Sequence, residues 1–299
     1  MESNAQRWRQ QASIWAKGSE MPFIGVGTEN SGEINLYYED YGTGDPVVLI
    51  HGYPLSGRSW ERQIPALMHA GHRVIAYDRR GFGRSSQPWT GYDYDTFAED
   101  LNQLVTKLEL RQFSLVGHSM GGGEVARYMG KYGTRNVKNA VFISSIPPFL
   151  LKTNDNPQGI DGGVFDGIKN AIAADRPAFL AQFCADLYNV DVLGGKLVSA
   201  HDLQASWNIS LAASPKGSLD CVDAWLTDFR KDLSRANVPI LVIHGDSDRI
   251  VPLPFSGKRI PDFVKHAKLV VIKGGPHGIL WTHSDQVNRA LLGYKDWLA

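Results

Sequence analysis

The chain has 299 residues, and 31 basic residues balance 31 acidic ones, so its formal net charge at neutral pH is zero. A balanced charge without basic or acidic tracts disfavours nucleic acids and membrane surfaces as partners, and no stretch approaches the ~18 apolar residues of a membrane span. Two isolated cysteines, Cys184 and Cys221, do not make a disulfide framework, so we expect both to be reduced and buried.

The first 21 residues differ in character from the rest of the chain. They carry charges and glutamines where a secretory signal peptide has an apolar core, which predicts a cytoplasmic location. Trp8, Ala12 and Trp15 fall on one face of any helix that forms there. We predict an N-terminal extension over residues 1–21, either an appended, poorly ordered tail or a short helix packed on the surface, with a partner-binding helix as the alternative.

From residue 33 onward, short apolar segments alternate with segments of helical character. Predicted strands lie at 33–42, 47–52, 73–78, 112–119, 139–145, 238–246 and 268–275. Predicted helices lie at 59–70, 94–108, 121–132, 255–265 and 284–298. This alternation is typical of βαβ units, and it predicts an α/β fold with a mostly parallel central sheet flanked by helices.

The alternation is interrupted between residues 150 and 235. This stretch is rich in aromatic residues and contains no clear strand. We predict that residues 150–235 form a helical cap, or lid, inserted between two parts of the core, 22–149 and 236–299, and that the cap covers a pocket. Phe149, just before it, and Trp207 within it are candidate substrate-binding residues.

A serine surrounded by glycines ends the strand predicted at 112–119. The segment Gly117-His118-Ser119-Met120-Gly121 reads G-x-S-x-G between a strand and a helix, which is the context that this nucleophile motif requires. A sharp turn from strand to helix strains its corner residue and admits only small residues two positions before and after it. We therefore predict that Ser119 is exposed at the carboxyl end of the sheet, near the positive end of the helix dipole.

A serine hydroxyl is a weak nucleophile until a base takes its proton, and the base needs an orienting carboxylate. His277 lies in a glycine-rich loop after the last predicted strand and can reach the serine, while His283 is a remote alternative. The loop after the preceding strand offers two carboxylates, Asp246 and Asp248. The order of the residues along the chain does not decide between Asp246 and Asp248.

The oxyanion of a tetrahedral intermediate needs hydrogen-bond donors. One candidate is the backbone N–H of Met120, directly after the serine. The other is the backbone N–H of Tyr53, in the segment His51-Gly52-Tyr53-Pro54 at the end of another predicted strand. Pro54 has no N–H to donate, but its fixed φ stiffens the loop.

These segments together resemble the α/β-hydrolase superfamily over residues 22–299, and most closely its cofactor-free haloperoxidases, also called perhydrolases. The resemblance rests on HGYPLSGRSW, AYDRRGFGRSSQPWTGYDYDTFAEDL, LVGHSMGGGEVARY, HGDSDRIVP and GGPHG. The order Ser, Asp, His is the one found in that superfamily. The GDxD loop of the family implies that Asp248, rather than Asp246, completes the triad. The family usually has Phe or Trp at the position of Tyr53, so this chain adds a hydroxyl near the site.

The resemblance implies a serine esterase that also acts as a perhydrolase. A small carboxylic acid or ester would acylate Ser119, hydrogen peroxide in place of water would attack the acyl-enzyme, and the released peracid would oxidise halide in solution. No haem or vanadium is implied, and the sequence has no His/Cys cluster at metal-ligand spacing, so we expect neither cofactor nor metal. The resemblance also allows a homo-oligomer.

Other interpretations differ by one residue or one activity. Epoxide hydrolases and haloalkane dehalogenases share the fold but need a carboxylate where this chain has Ser119, which argues against them. A lactamase or a carbon–carbon bond hydrolase would use the same triad. A hydrolase-like receptor that binds a small molecule and hardly turns it over would also keep these residues, and measurable turnover would distinguish it.

Overall fold

The structure is a computed structural model that describes residues 22–293. The predicted N-terminal extension, 1–21, and the last part of the final predicted helix lie outside the described residues. No helix within 22–293 combines the length and the apolar character that crossing a membrane would require.

Within residues 22–293, eight strands form one sheet at the centre of the fold. They are β1 (Phe23–Glu29), β2 (Gly32–Tyr41), β3 (Pro46–Ile50), β4 (Arg73–Tyr77), β5 (Phe113–His118), β6 (Val137–Ile143), β7 (Ile240–Gly245) and β8 (Lys268–Ile272). Their spatial order is β1-β2-β4-β3-β5-β6-β7-β8. The β1–β2 and β2–β4 pairs are antiparallel, whereas all other pairs are parallel. The carboxyl ends of β3, β5, β7 and β8 therefore meet at one edge of the sheet.

Helices follow or separate most of the strands. They are α1 (Ile64–His69), α2 (Tyr94–Lys107), α3 (Met120–Tyr132), α4 (Gly162–Leu187), α5 (Val190–Leu193), α6 (Ala200–Leu211), α7 (Pro215–Ala224), α8 (Arg230–Ser234), α9 (Ile260–Phe263), α10 (Ile279–Thr282) and α11 (Ser284–Leu292). The mostly parallel sheet with its helices confirms the predicted α/β-hydrolase fold class.

The sheet is covered on both faces because successive strand residues point to opposite sides. Along β3, Val47 and Leu49 belong to the apolar cluster that includes Leu67 of α1 and Leu291 of α11. Val48 and Ile50 belong to the other cluster, which includes residues of α2 and α3. This two-sided burial explains why β3 is a continuous apolar run in the sequence.

Three elements differ from the sequence-based prediction. The strand β1 was not predicted, and it forms a hairpin with β2 through Asn30 and Ser31, both at positive φ. The helix predicted at 59–70 is a 3-10 turn, Gly57–Trp60, followed by the short α1, and the one predicted at 255–265 is reduced to 3-10 turns and α9. A proline near the start of both α1 and α9 explains the breaks, since proline lacks the N–H that a continuing helix needs.

Residues 150–235, here called the inserted segment, leave the sheet after β6 and return to it at β7. They contain α4 to α8, and among them only isolated bridges pair in the manner of strands. The helix α4 is kinked at Asp175, two residues before Pro177. The helical character agrees with the prediction, while the status of the inserted segment as a separate cap domain stays a prediction.

Candidate active site

Ser119 stands where β5 turns into α3. All six residues of β5 are buried, Ser119 has φ 54° and ψ −120°, and α3 begins at the next residue, Met120. A backbone of this kind costs a non-glycine residue about 1–3 kcal/mol and persists only where its surroundings hold it. Here the N–H of Ser119 donates to the carbonyl of Ile143 on β6 at 2.9 Å, and the carbonyl of Ser119 accepts from the N–H of Gly122 at 3.0 Å. The strained corner is therefore fixed from both sides.

The glycines around this serine are required because neighbouring backbone, or in one case a side chain, lies too close for a Cβ atom. A Cβ on Gly117 would lie 2.5 Å from the backbone of Gly121, and a Cβ on Gly121 would lie 2.3 Å from the carbonyl oxygen of Ile50. A Cβ on Gly122 would lie 2.2 Å from Oγ of Ser145. The glycines allow α3 to start directly against β3, which keeps the serine at the edge where the strands end.

His277 connects Ser119 to Asp248 through two short hydrogen bonds. The Nδ1 atom of His277 lies 2.7 Å from Oδ2 of Asp248, and its Nε2 atom lies 2.8 Å from Oγ of Ser119. An ionised carboxylate can only accept, so Nδ1 carries the proton and Nε2 is free to accept the proton of the serine. All three residues are buried. This geometry is the one in which a histidine can act as a general base toward a serine.

Four donors surround the carboxylate of Asp248. Its Oδ1 accepts from the backbone N–H groups of Ile250 and Val251 at 3.0 and 2.8 Å, and Nε2 of His244 lies 3.2 Å from Oδ2, which also accepts from His277. Burial raises the pKa of Asp248, but the electrostatic interaction with His277 and the hydrogen bonds from both histidines outweigh this effect, so this pKa lies well below its usual range. Asp248 is therefore a charged acceptor.

Asp246 and His283, the two alternatives that the sequence left open, form hydrogen bonds with residues other than Ser119. Oδ1 of Asp246 accepts from the N–H of Gly274 at 2.7 Å and from the hydroxyl of Ser247 at 3.1 Å, which closes a turn at the exposed side of the loops. Nδ1 of His283 lies 2.8 Å from Oγ1 of Thr282. The structure thus brings Asp248 and His277 to Ser119, and it does not bring Asp246 or His283 there.

The two candidate oxyanion donors flank the serine. Met120 follows it at the start of α3, where the first N–H groups of a helix have no helical partner. Tyr53 follows Gly52, and Gly52 lies so close to Ser119 that a Cβ on it would be 2.9 Å from Cβ of the serine. Within residues 22–293, the backbone N–H groups of Tyr53 and Met120 have no hydrogen-bond acceptor. Both are therefore available to a substrate oxygen.

A buried network orients the peptide that carries the N–H of Tyr53. The backbone N–H of Arg79 donates to Nε2 of His51 at 3.0 Å, so Nδ1 of His51 carries the proton and donates to the carbonyl of Gly52 at 2.8 Å. The guanidinium of Arg79 donates to the carbonyl of His51 at 3.0 Å and pairs with Glu124 at 2.7 Å. Burial and the charge of Arg79 hold the pKa of His51 well below its usual range, so this ring is neutral.

A small cavity of about 80 Å³ opens beside Ser119. Its lining is almost entirely apolar and comes from the loops at the strand ends and from the inserted segment: Tyr53, Ser119, Ile146, Leu150, Ile160, Val164, Phe165, Ile168, Phe183, Trp225, Ile250 and Val251. The hydroxyl of Tyr53 is already engaged in a hydrogen bond, since it donates to the carbonyl of Ser218 in α7 at 3.2 Å. The cavity therefore presents the serine to an apolar group.

The two aromatic residues predicted to bind substrate lie elsewhere. Among the described residues, neither Phe149 nor Trp207 lines this cavity. The ring of Phe149 lies under the guanidinium of Arg230 at 5.0 Å, and the indole N–H of Trp207 donates to the carbonyl of Pro177 at 3.2 Å. Both side chains pack the inserted segment, so the geometry does not support the substrate-binding role predicted for them.

Two further histidines hold the site together: His118, which as a strand-end residue was expected to be buried and to donate a hydrogen bond, and His244, which sequence reasoning missed. His244, on β7, contacts Asp248, and His118 donates from Nε2 to the carbonyl of His277 at 3.1 Å. Burial, followed by the charge of His277, lowers the pKa of His118 to about 3. The available signal was a histidine at the end of three parallel strands, in the segments His51-Gly52, His118-Ser119 and His244-Gly245.

Within residues 22–293, no group of three or more His, Cys, Asp or Glu side chains is arranged to hold a metal ion.

Comparisons with known proteins identify the family of this chain. Residues 45–284 match the family described as the alpha/beta hydrolase fold. Non-heme chloroperoxidase CPO-A1 of Kitasatospora aureofaciens is 42% identical over 264 residues, which cover 87% of this chain and 96% of that protein. Bifunctional esterase/perhydrolase DCH of Acinetobacter calcoaceticus is 38% identical over 265 residues, which cover 87% and 96%. The crystal structure of a bromoperoxidase from Bacillus anthracis has a TM-score of 0.87 at 51% identity and covers 90% of this chain and 97% of its own.

The resemblance found in the sequence is thus confirmed by the fold, by the family match and by relatives that align over nearly their whole length. The chain belongs to the α/β-hydrolase family and, within it, to the non-haem haloperoxidases.

Proposed function

We propose that this protein is a serine esterase that forms an acyl-enzyme at Ser119 and transfers the acyl group to water or to hydrogen peroxide. The observation that carries the proposal is the chain of short hydrogen bonds from Ser119 through His277 to Asp248 beside an apolar cavity. The names of the relatives support both reactions, since one is a chloroperoxidase and another a bifunctional esterase/perhydrolase.

Acylation begins when Oγ of Ser119 attacks the carbonyl carbon of a small ester or carboxylic acid. Nε2 of His277 takes the hydroxyl proton, and Asp248 stabilises the imidazolium that results. The carbonyl oxygen becomes an oxyanion, to which the backbone N–H groups of Tyr53 and Met120 donate. His277 then gives its proton to the leaving oxygen, so an alcohol departs from an ester and water departs from an acid.

Deacylation repeats these steps with a second nucleophile. Water or hydrogen peroxide attacks the acyl carbon while His277 takes its proton, and the proton then returns to Oγ of Ser119. Water yields the carboxylic acid, and peroxide yields the peracid. Halide oxidation by the peracid needs no further residue of the chain, because it takes place in solution.

The lining of the cavity supports an uncharged acyl group of small size. Among the described residues that line it, none carries a formal charge, and most are Ile, Leu, Val or Phe. A charged acyl chain would lose its hydration there without gaining a partner. Esters of short aliphatic acids fit this environment.

Two assays on the same preparation test the proposal. Hydrolysis of p-nitrophenyl acetate and butyrate reports the esterase reaction, and bromination of monochlorodimedone with acetate, peroxide and bromide reports peracid formation. We expect Ser119→Ala to abolish both, whereas Ser114→Ala, which removes a buried hydroxyl from the same strand, leaves both in place. Hydrolysis that survives Ser119→Ala would refute the nucleophile, and hydrolysis without any peroxide product would refute the perhydrolase half.

The location and the assembly of the protein are also proposals. Cys184 and Cys221 are free and buried, which supports a reducing compartment such as the cytoplasm. A homo-oligomer is tested by sedimentation velocity of the purified chain.

A further inference from the structure

We propose that Asn189, in the inserted segment, is a positioning residue that helps to hold the loops of Asp248 and His277 at a fixed separation. This inference rests on the proposed function, because the separation matters only if these two residues act on Ser119. Among the described residues, Asn189 is hydrogen-bonded to neither of them. It works through their neighbours in the chain.

The end of α4 contacts both loops at residues adjacent to the triad. Nδ2 of Asn189 donates to the carbonyl of Ser247 at 2.9 Å, and Ser247 precedes Asp248. Two residues earlier, the carbonyl of Leu187 accepts from the N–H of Gly278 at 2.7 Å, and Gly278 follows His277. One turn of the inserted segment therefore bonds the loop that carries Asp248, called the acid loop, to the loop that carries His277, called the base loop.

This turn is rigid enough to act as a clamp. Tyr188, between the two contacts, is fully buried, and its ring lies so close to Gly278 that a Cβ there would be 2.5 Å away. The hydroxyl of Tyr188 is hydrogen-bonded to Ser206 of α6 at 2.7 Å. Asn189 is buried and has φ 49° and ψ 54°, a left-handed conformation that asparagine tolerates better than most residues.

The amide of Asn189 serves as a donor. Among the described residues, its Oδ1 atom has no hydrogen-bond partner although it is buried. A buried acceptor without a partner carries a free-energy cost, which is tolerated where the other half of the amide makes a bond that matters. That other half is the NH2 group on the carbonyl of Ser247.

A second link between the inserted segment and the acid loop provides a matched control. Arg249, in the acid loop, pairs with Asp191 of α5 at 2.9 Å, and both side chains are more than half exposed. Exposed ion pairs of this kind contribute little to stability. Breaking the exposed link should therefore leave the chemistry unchanged, whereas breaking the buried one should not.

The expected signature is a loss of kcat without a change in KM. Small displacements of catalytic groups reduce rates steeply, by as much as about 100-fold for 1 Å. Asn189 does not line the substrate cavity among the described residues, so binding of the ester should persist. The rate at which a fluorophosphonate labels Ser119 should fall together with kcat, because it depends on the same activated hydroxyl.

The test compares Asn189→Gly, Asn189→Asp and Asp191→Asn with the wild type. Glycine keeps the left-handed backbone without the amide, and aspartate keeps the shape but cannot donate. We expect both Asn189 variants to lose about 10- to 100-fold in kcat and in labelling rate, with KM for p-nitrophenyl butyrate changed by less than about twofold. Asp191→Asn should match the wild type in all three quantities.

The outcomes separate this inference from the proposed function. If the wild type is labelled on Ser119 and both Asn189 variants are labelled at the same rate, the positioning role is wrong while the proposed function stands. A rise in KM in place of a fall in kcat would also overturn the positioning role. If the wild type is not labelled at all, the proposed function fails and this inference fails with it.

Discussion

Replacing Asp248 with asparagine tests the electrostatic part of the site without changing its shape. Oδ1 of Asp248 accepts from the N–H groups of Ile250 and Val251, and Oδ2 accepts from His277 and lies near Nε2 of His244. Asparagine offers one oxygen and one NH2 group. If its oxygen keeps the two backbone bonds, its NH2 group faces two ring nitrogens that both carry protons.

His277 can relieve this conflict only by moving its proton. With Nδ1 accepting from the asparagine, the proton sits on Nε2, which then points at Oγ of Ser119 and cannot take its proton. The opposite amide orientation is also unfavourable, since it aims the NH2 group at the N–H groups of Ile250 and Val251. In serine proteases, the equivalent wrong tautomer costs about 10,000-fold in kcat, which is about 5 kcal/mol in activation free energy.

The assay is the kcat of p-nitrophenyl butyrate hydrolysis for Asp248→Asn and for Asp246→Asn. Oδ1 of Asp246 accepts from the N–H of Gly274, and an asparagine oxygen can keep that bond, so we expect this control to stay within about threefold of the wild type. Folding of both variants is checked by thermal unfolding. The assignment of Asp248 is refuted if Asp246→Asn is the more damaging change. It is also refuted if Asp248→Asn keeps a tenth or more of the wild-type kcat, because a loss of about 10,000-fold is expected.

Three further predictions follow from single contacts. Gly121→Ala should lower the free energy of unfolding by about 1–3 kcal/mol or prevent folding, since its Cβ would lie 2.3 Å from the carbonyl oxygen of Ile50. Gly167→Ala, at a position in α4 with open space around it, should instead raise the free energy of unfolding by about 0.5–1 kcal/mol. Urea titrations measure both changes. Tyr53→Phe should keep kcat for ester hydrolysis within about threefold, because the proposed donor is the backbone N–H, and a larger loss would assign a role to the hydroxyl. The pKa of His118 is lowered from 6.5 to about 3, so between these two pH values the unfolded chain binds a proton that the folded chain does not, and stability falls as the pH falls. In His118→Asn the free energy of unfolding should therefore drop less between pH 7 and pH 4 than in the wild type. An equal drop in both proteins would contradict this cause.

The parallel core and the candidate triad could be predicted because both follow from local signals. Apolar runs that end in glycine mark the buried strands, and the carboxyl ends of parallel strands meet at one edge. Residues placed just after β5, β7 and β8 therefore converge, although Ser119 and His277 are far apart in the chain. The choice of Asp248 over Asp246 needed the family resemblance, because both follow the same strand.

The missed features depend on contacts that no local pattern records. The strand β1 contains two glycines that weaken its alternation, although the Asn30-Ser31 pair before Gly32 is a recognisable hairpin turn. The ion pair of Arg79 and Glu124 joins residues from different elements, so the sequence could not indicate that it lies buried beneath the loop of Tyr53.

The aromatic residues of the inserted segment illustrate the same limit. Phe165, Phe183 and Trp225 line the cavity, whereas Phe149 and Trp207 do not. Phe165, Phe183 and Trp207 lie in helices and Trp225 directly follows one, whereas Phe149 lies in the irregular stretch between β6 and α4. What separates the five is how each element is placed against the core, which for the helices depends on the kink in α4 and on packing between helices. Neither is visible in hydrophobic periodicity.

The most direct measurement of the central claim is the reaction of the purified wild-type chain with a fluorophosphonate probe, with the modified residue located by mass spectrometry. We predict one adduct, on Ser119, and its disappearance in His277→Ala while that variant remains folded. The absence of an adduct under conditions that label a control esterase, or an adduct on another serine, would contradict the claim that Ser119 is an activated nucleophile. A hydrolase-like receptor with little turnover would then be the better description of this chain.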